Sequence, residues 1–269
     1  MPRKPSQYQT IISEIFRRNY PGSGQEFTFH RDEIEDVGVE LGVGKPKNLG
    51  DVIYAYRHRR ALPQDILRTQ PEGHHWIILG AGDAQYRFKL SKLLYLVPTQ
   101  GLMQRKIPDS TPEIVSRYAQ NDEQALLAKI RYNRLVDIFL GLTASPLQSH
   151  LRTKIPNYGQ IEIDEMYVGV DSRGAQFIIP VQAKGGSDKL GVIQTIQDLV
   201  YCRSNPKYQG TPSRAVSAQF LDGDTIAMFE LDFDGDEVCI VAEQHYRLSK
   251  IADISQADLD AYNSAAFHR

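Results

Sequence analysis

Asp164 and Lys184 stand at the closing ends of two apolar runs in GQIEIDEMYVGVDSRGAQFIIPVQAKGG, residues 159–186. Asp171-Ser172-Arg173-Gly174 supplies a turn between the runs, so the segment predicts a β-hairpin. Side chains alternate faces along a strand, which puts Gln182 with Lys184, and Asp164 with Glu162, Met166 and Val168. The hairpin then brings the Asp164 carboxylate beside the Lys184 ammonium at the edge of a buried sheet. A carboxylate, a lysine and a backbone carbonyl converging there can hold a hard cation and position a water. That is the chemistry of phosphodiester hydrolysis. A structural ion pair is the plainer alternative, but the second strand is apolar up to Val181 and turns polar beside Gly185-Gly186, where glycines let backbone approach a ligand.

These residues resemble the PD-(D/E)XK nuclease superfamily, which includes most Type II restriction endonucleases. Its pattern is an acid on one strand, then an acid, any residue and a lysine on the next. Asp164 fits the first acid and Lys184 the lysine, whereas Gln182 replaces the second acid. The resemblance spans Asn121 to about Val241 and implies Asp164 and the Ala183 carbonyl as ligands of magnesium, for which manganese can substitute. It further implies Gln182 as a neutral ligand or orienter, and Lys184 at the attacking water or the scissile phosphate. Two residues are candidates for the missing carboxylate: Glu162, which shares a face with Asp164, and Glu123 on the preceding helix. Glu165 points to the opposite face. Gln197 and Tyr201, four apart on a later helix, match an element of one nuclease subgroup; Gln197 is a minor candidate and Tyr201 is set aside.

The surrounding elements follow the order such a site requires. Leu126, Leu127, Ile130, Leu135, Ile138 and Phe139 recur at helical spacing and predict one long amphipathic helix from Asp122 to about Leu140. A strand at 149–155, the hairpin, a helix at 188–203 and a strand at 213–220 come next, then a second hairpin around Asp234-Gly235. The expected fold class is α/β (α+β): a restriction-endonuclease-like mixed sheet flanked by helices over 121–269.

Residues 1–100 predict a winged-helix-like DNA-binding domain. Ile11, Ile12, Ile15 and Phe16 mark a first helix, Ile34, Val37 and Leu41 a second, and Asn48 caps a third from Leu49 to about Arg59. That third helix is the one to enter the major groove, with Lys45, Lys47, Asn48, Tyr54, Arg57, Arg59 and Arg60 as DNA contacts. Alternating segments at 74–80 and 85–90 form the wing, with Gly80-Ala81-Gly82 as its tip. Residues 101–120 read as a linker.

Bulk properties fit a DNA-handling protein that is not basic throughout. The net charge is −2, but residues 1–110 hold 16 Lys+Arg against 12 Asp+Glu, and residues 111–269 hold 15 against 21. Two cysteines, Cys202 and Cys239, are too few for a disulfide framework, and no long apolar run or secretory leader is expected, which suits the cytoplasm. No phosphate-cradling Gly-x-x-x-x-Gly-Lys loop and no Gly-x-Ser-x-Gly elbow occurs, so ATP-driven and serine-hydrolase chemistry are not expected. The expectation is a magnesium-dependent, sequence-specific endonuclease acting on double-stranded DNA as a homodimer. The alternatives are a structure-selective repair or junction nuclease, and a DNA-binding protein without catalysis.

Overall fold

The computed structural model describes residues 5–118, 123–156, 158–185, 188–221 and 224–266. The chain divides into two compact units. The first comprises residues up to Leu94 plus Thr153–Ile161, and the second comprises Tyr95–Arg152 and Glu162 onward.

In the first unit α1 (Gln7–Asn19) is followed by β1 (Glu26–His30), α2 (Glu33–Glu40), α3 (Leu49–Tyr54), a short α4 (Gln64–Leu67), β2 (His75–Gly82) and β3 (Gln85–Ser91). Ser6 caps α1, its hydroxyl accepting from the Gln9 N–H, and Asn48 caps α3 by accepting from the Gly50 N–H. Both side chains satisfy donors that a helix start leaves unpaired. The strands form an antiparallel sheet in the order β1-β3-β2. Its inner face meets Ile11, Ile12, Ile15 and Phe16 of α1, where Phe16, Phe27, Trp76 and Phe88 pack edge-to-face and stacked. Trp76 is fully enclosed, and its indole N–H donates to Thr69 Oγ1 at 2.9 Å, which lets a polar atom enter an apolar core.

Two expectations for this unit are corrected. The predicted third helix is regular only to Tyr54; residues 55–59 widen to i→i+5 bonding, closed by Arg60 N–H donating to Ala55 O. The β2–β3 turn is not at Gly80-Ala81-Gly82. It falls at Asp83-Ala84, with Ala84 left-handed (φ 56°), and the register slips between Gly80 and Gly82. Gly80 serves a different purpose: a Cβ there would sit 2.7 Å from the Tyr158 carbonyl oxygen, so the close approach of two backbones demands glycine.

The second unit is built on a seven-stranded mixed sheet. Its strands are β5 (Gln104–Pro108), β6 (Thr143–Ile155), β7 (Gly159–Val170), β8 (Gln176–Lys184), β10 (Ala215–Phe220), β11 (Thr225–Asp234) and β12 (Glu237–Ser249). The spatial order is β5-β12-β11-β10-β8-β7-β6. A small pair, β4 (Tyr95–Leu96) with β9 (Leu190–Gly191), lies apart. The helices are α5 (Glu113–Tyr118), α6 (Glu123–Tyr132), α7 (Leu135–Leu140), α8 (Val192–Ser204) and α9 (Gln256–Ala266).

The predicted β7–β8 hairpin forms with Met166 opposite Pro180 and Tyr167 opposite Ile179. β8 then pairs in parallel with β10, and α8 makes the crossover between them. One sheet face carries Tyr167, Val181, Ala183 and Ala218 against Leu126, Ile130 and Leu135 of α6 and α7. Alternation sends Gln182 and its register partner Ser217 to the other face, against which α8 packs.

Two further expectations change here. The single long helix is broken at Asn133-Arg134, where Arg134 is left-handed (φ 50°). The Asn133 amide N–H groups donate to Thr111 Oγ1 and Lys129 O, both at 2.9 Å, and its Oδ1 accepts from the Ser110 N–H at 2.7 Å. The predicted helix start at Asp122 lies outside the described residues, as does Asn121. Of the supposed linker at 101–120, the described residues 101–118 are instead part of the second unit. They contribute β5, which pairs in parallel with β12, and α5.

Candidate functional site

The site lies where β7 and β8 stop pairing as a regular ladder. Their register runs to Glu165 opposite Val181. One residue further on, the Asp164 side chain takes over the role of backbone: its Oδ2 accepts from the Ala183 N–H at 2.9 Å. In an extended strand the N–H and C=O of one residue leave the same edge, so the Ala183 carbonyl shares the edge that Asp164 occupies. This places the two expected ligands, Asp164 and Ala183, together. Burial raises the Asp164 carboxyl above its usual range; the Ala183 N–H and Lys184 pull it back, and Glu123 and Glu162 push it up again. A cation bound there would reverse that balance in favour of the carboxylate.

Lys184 does not pair directly with Asp164. Its ammonium donates to Glu123 Oε1 from the start of α6, with Lys184 largely buried and Glu123 about a third exposed. Glu123 is therefore the partner of the lysine, and its charge also bears on Asp164. Glu162 contributes chiefly its backbone: its carbonyl accepts from Gln182 Nε2 at 3.2 Å. Its half-exposed carboxylate takes Arg152 at 3.2 Å and faces His150. Gly186, invoked for close backbone approach, lies outside the described residues.

Glu165 follows Asp164 but belongs to another environment. It accepts from Arg131 and, at 2.5 Å, from the Tyr167 hydroxyl on the opposite sheet face. Burial and this hydrogen bond raise the Tyr167 hydroxyl pKa, so the phenol stays protonated. Gln197 is buried on α8, but it is its neighbour Asp198 that reaches the site.

Asp198 is the residue that spacing did not reveal. Gln182 Nε2 donates to its Oδ2 at 2.9 Å, and both residues are almost completely enclosed. Burial drives the Asp198 carboxyl well above the usual range, with the Gln182 bond opposing and the Asp164 charge reinforcing the rise. Among the described residues, Gln182 Oε1 and Asp198 Oδ1 are buried with no hydrogen-bond partner. Only the phase of α8 on the sheet aims Asp198 at Gln182, and one helical turn of sequence contains no record of that phase.

The donor set suits a hard divalent cation: a carboxylate, a backbone carbonyl and an amide oxygen whose lone pairs are otherwise unmet. Among the described residues no three His, Cys, Asp or Glu side chains form a metal-holding group. A cation here would thus draw on neutral oxygens as well as on carboxylates.

In the first unit the expected basic face is thinned by internal pairing. Lys45 pairs with Glu35 at 2.5 Å, the Asn48 side chain is used as the α3 cap, and Arg60 lies over the Tyr8 ring. Arg57 is turned inward: its Nε donates to Ile78 O at 2.8 Å, its cation lies over Tyr86, and burial pushes its pKa down to about 10. The half-exposed Tyr54 ring carries the Arg59 guanidinium at 4.8 Å, and Lys47 is exposed nearby in sequence. Among the described residues no helix is long and apolar enough to cross a membrane.

Comparison with protein-family models, with curated proteins and with solved structures returns no match for this chain.

Proposed function

We propose that the protein is a magnesium-dependent endonuclease of the PD-(D/E)XK kind that cuts double-stranded DNA at a specific sequence, as Type II restriction enzymes do. The observation that carries this reading is the Asp164 bond to the Ala183 N–H. It puts a buried carboxylate on the edge of a strand that ends in lysine, with a neutral glutamine between. When bound, magnesium would lower the pKa of a water and neutralise charge on the phosphate. Asp164 and the Ala183 carbonyl would hold it, and Gln182 would fix the amide geometry between them. The Lys184 ammonium, held by Glu123, would contact the attacking water or a phosphate oxygen. Cutting both strands of a palindrome with one site per chain favours a homodimer.

DNA binding is assigned to the first unit in this reading. Its element order α-β-α-α-α-β-β, counting the one-turn α4, and sheet order β1-β3-β2 suit a winged helix with α3 in the major groove. Tyr54, Arg59 and Lys47 are then the contacts of choice, and Lys45, Asn48 and Arg60 support them from their internal partners.

The test is digestion of plasmid and phage DNA with Mg²⁺, followed by sequencing of the ends. Asp164→Ala and Lys184→Ala should each lower cleavage by about 10²–10⁴-fold while gel shifts persist. Wild-type cutting by either variant would remove the site assignment. Scission confined to branched duplexes would move the substrate to repair intermediates, and gel shifts with no scission would leave a DNA-binding protein.

A further inference from the structure

The nuclease-like strand end has a glutamine where a carboxylate is expected, and the neighbouring helix presents an acid to that glutamine. We propose that Asp198 supplies the second acidic oxygen of the cation site, with Gln182 as the bracket that holds it there. This deepens the nuclease reading and rests on it.

The geometry fixes the bracket first. Gln182 Nε2 divides its two N–H groups between Glu162 O at 3.2 Å and Asp198 Oδ2 at 2.9 Å. Those two donations set the amide plane and leave Oε1 buried with no partner, while Asp198 Oδ1 is left in the same condition. Gln182 and Asp198 are each 2% exposed. Folded proteins rarely leave buried oxygens unmet, and two on adjoining side chains ask for a shared partner. With Asp198 ionised both atoms only accept, so the partner must be positive or a donor; a proton on Asp198 is the competing way to occupy Oδ1.

Chemistry narrows the choice to a hard divalent cation. The oxygens at hand are the Asp164 carboxylate, the Ala183 carbonyl, Gln182 Oε1 and Asp198 Oδ1, with the buried Cys202 thiol also beside Asp198. The other acids are committed elsewhere, Glu123 to Lys184 and Glu162 to Arg152. α8 holds Asp198 by enclosing Thr195, Ile196, Leu199 and Cys202 around it, so the carboxyl is fixed before any ion arrives.

The test moves the charge between the two positions in the intact protein and reads Mn²⁺ binding by calorimetry and by Mn²⁺ electron paramagnetic resonance. Asp198→Asn keeps the shape and should weaken Mn²⁺ binding about 10- to 100-fold. Adding Gln182→Glu to that variant should recover binding to within about 3-fold of wild type, roughly 0.6 kcal/mol, because the carboxylate returns to the same cavity from the strand. Circular dichroism melts accompany each variant. If Asp198→Asn does not fold, the double variant alone decides by the same recovery.

Wild-type affinity in Asp198→Asn, or no recovery in the double variant, overturns the assignment. Two failures are distinguishable. Mn²⁺ binding and DNA cleavage that both survive Asp198→Asn would sink only the role of Asp198. A wild-type protein that binds no Mn²⁺ would remove the nuclease reading along with it.

Discussion

Asp164 and Glu165 are adjacent acids with opposite fates, and the difference comes from strand alternation. Asp164 faces α8 and the strand edge, where its oxygen meets a backbone N–H; Glu165 faces α6 and is neutralised by Arg131 and Tyr167. In the proposed site the first is a cation ligand, and the second is a structural anchor. Tyr167→Phe should therefore lower stability by about 1–3 kcal/mol, the cost of leaving a buried acceptor without its donor, read as a fall in the urea midpoint. Mn²⁺ binding should stay unchanged. Lost metal binding at unchanged stability would show that the two acids have been assigned the wrong way round. The hairpin that carries Asp164 and Lys184 was legible in the sequence because period-two alternation and a clear turn fix it without knowledge of the rest of the fold, whereas Ala183 came only from the family resemblance. Asp198 was not legible, since its relation to Gln182 depends on how a helix sits on a sheet, which no local pattern encodes. The binding of Lys184 to Glu123 rather than Asp164 was hidden for the same reason.

At the level of elements, segments with a strong period and clear turn residues formed where expected, among them α1, the β7–β8 hairpin and the β11–β12 hairpin about Asp234-Gly235. Elements whose existence depends on a distant partner did not announce themselves. β5 is five residues, QRKIP, with two cations and a proline, and it is a strand because β12 offers it a free edge. The break at Asn133-Arg134 was masked because apolar spacing resumes in α7 almost in phase; the polar amide of Asn133 ends α6 by binding residues 110 and 111. α1 illustrates an element stabilised within itself. Glu14 accepts from Arg17 and Arg18 one turn later, which lowers its carboxyl from the ordinary 4.5 to about 2. A depressed folded-state pKa stabilises above the unfolded value and loses that contribution as pH falls toward the folded one. The melting temperature of wild type should thus exceed that of Glu14→Gln at pH 7, with the gap closing between pH 4.5 and 2. A gap that is constant with pH would show that Glu14 acts by packing and not by charge.

Across the whole molecule the decisive property is the uneven distribution of charge. A net of −2 gives no general attraction to a polyanion, so any grip on DNA must come from a local surplus, and residues 1–110 hold it with 16 cationic against 12 anionic side chains. Internal contacts reduce the number of free cations: Arg17 and Arg18 are spent on Glu14, Lys45 on Glu35 and Arg57 on the Ile78 carbonyl. What remains for phosphate is small, which predicts modest affinity and a shallow salt dependence. Each lysine or arginine that neutralises a phosphate contributes about 0.9 to the slope of log K against log salt. Lys47→Ala and Arg59→Ala combined should flatten that slope by close to 2, measured by fluorescence anisotropy on a duplex without divalent ions. Arg173→Ala, at the exposed β7–β8 turn where the guanidinium is already paired with Asp171, should leave the slope unaltered. Equal flattening by both changes would place the DNA on the acidic unit, and the division of labour between a gripping unit and a cutting unit would then have to be abandoned.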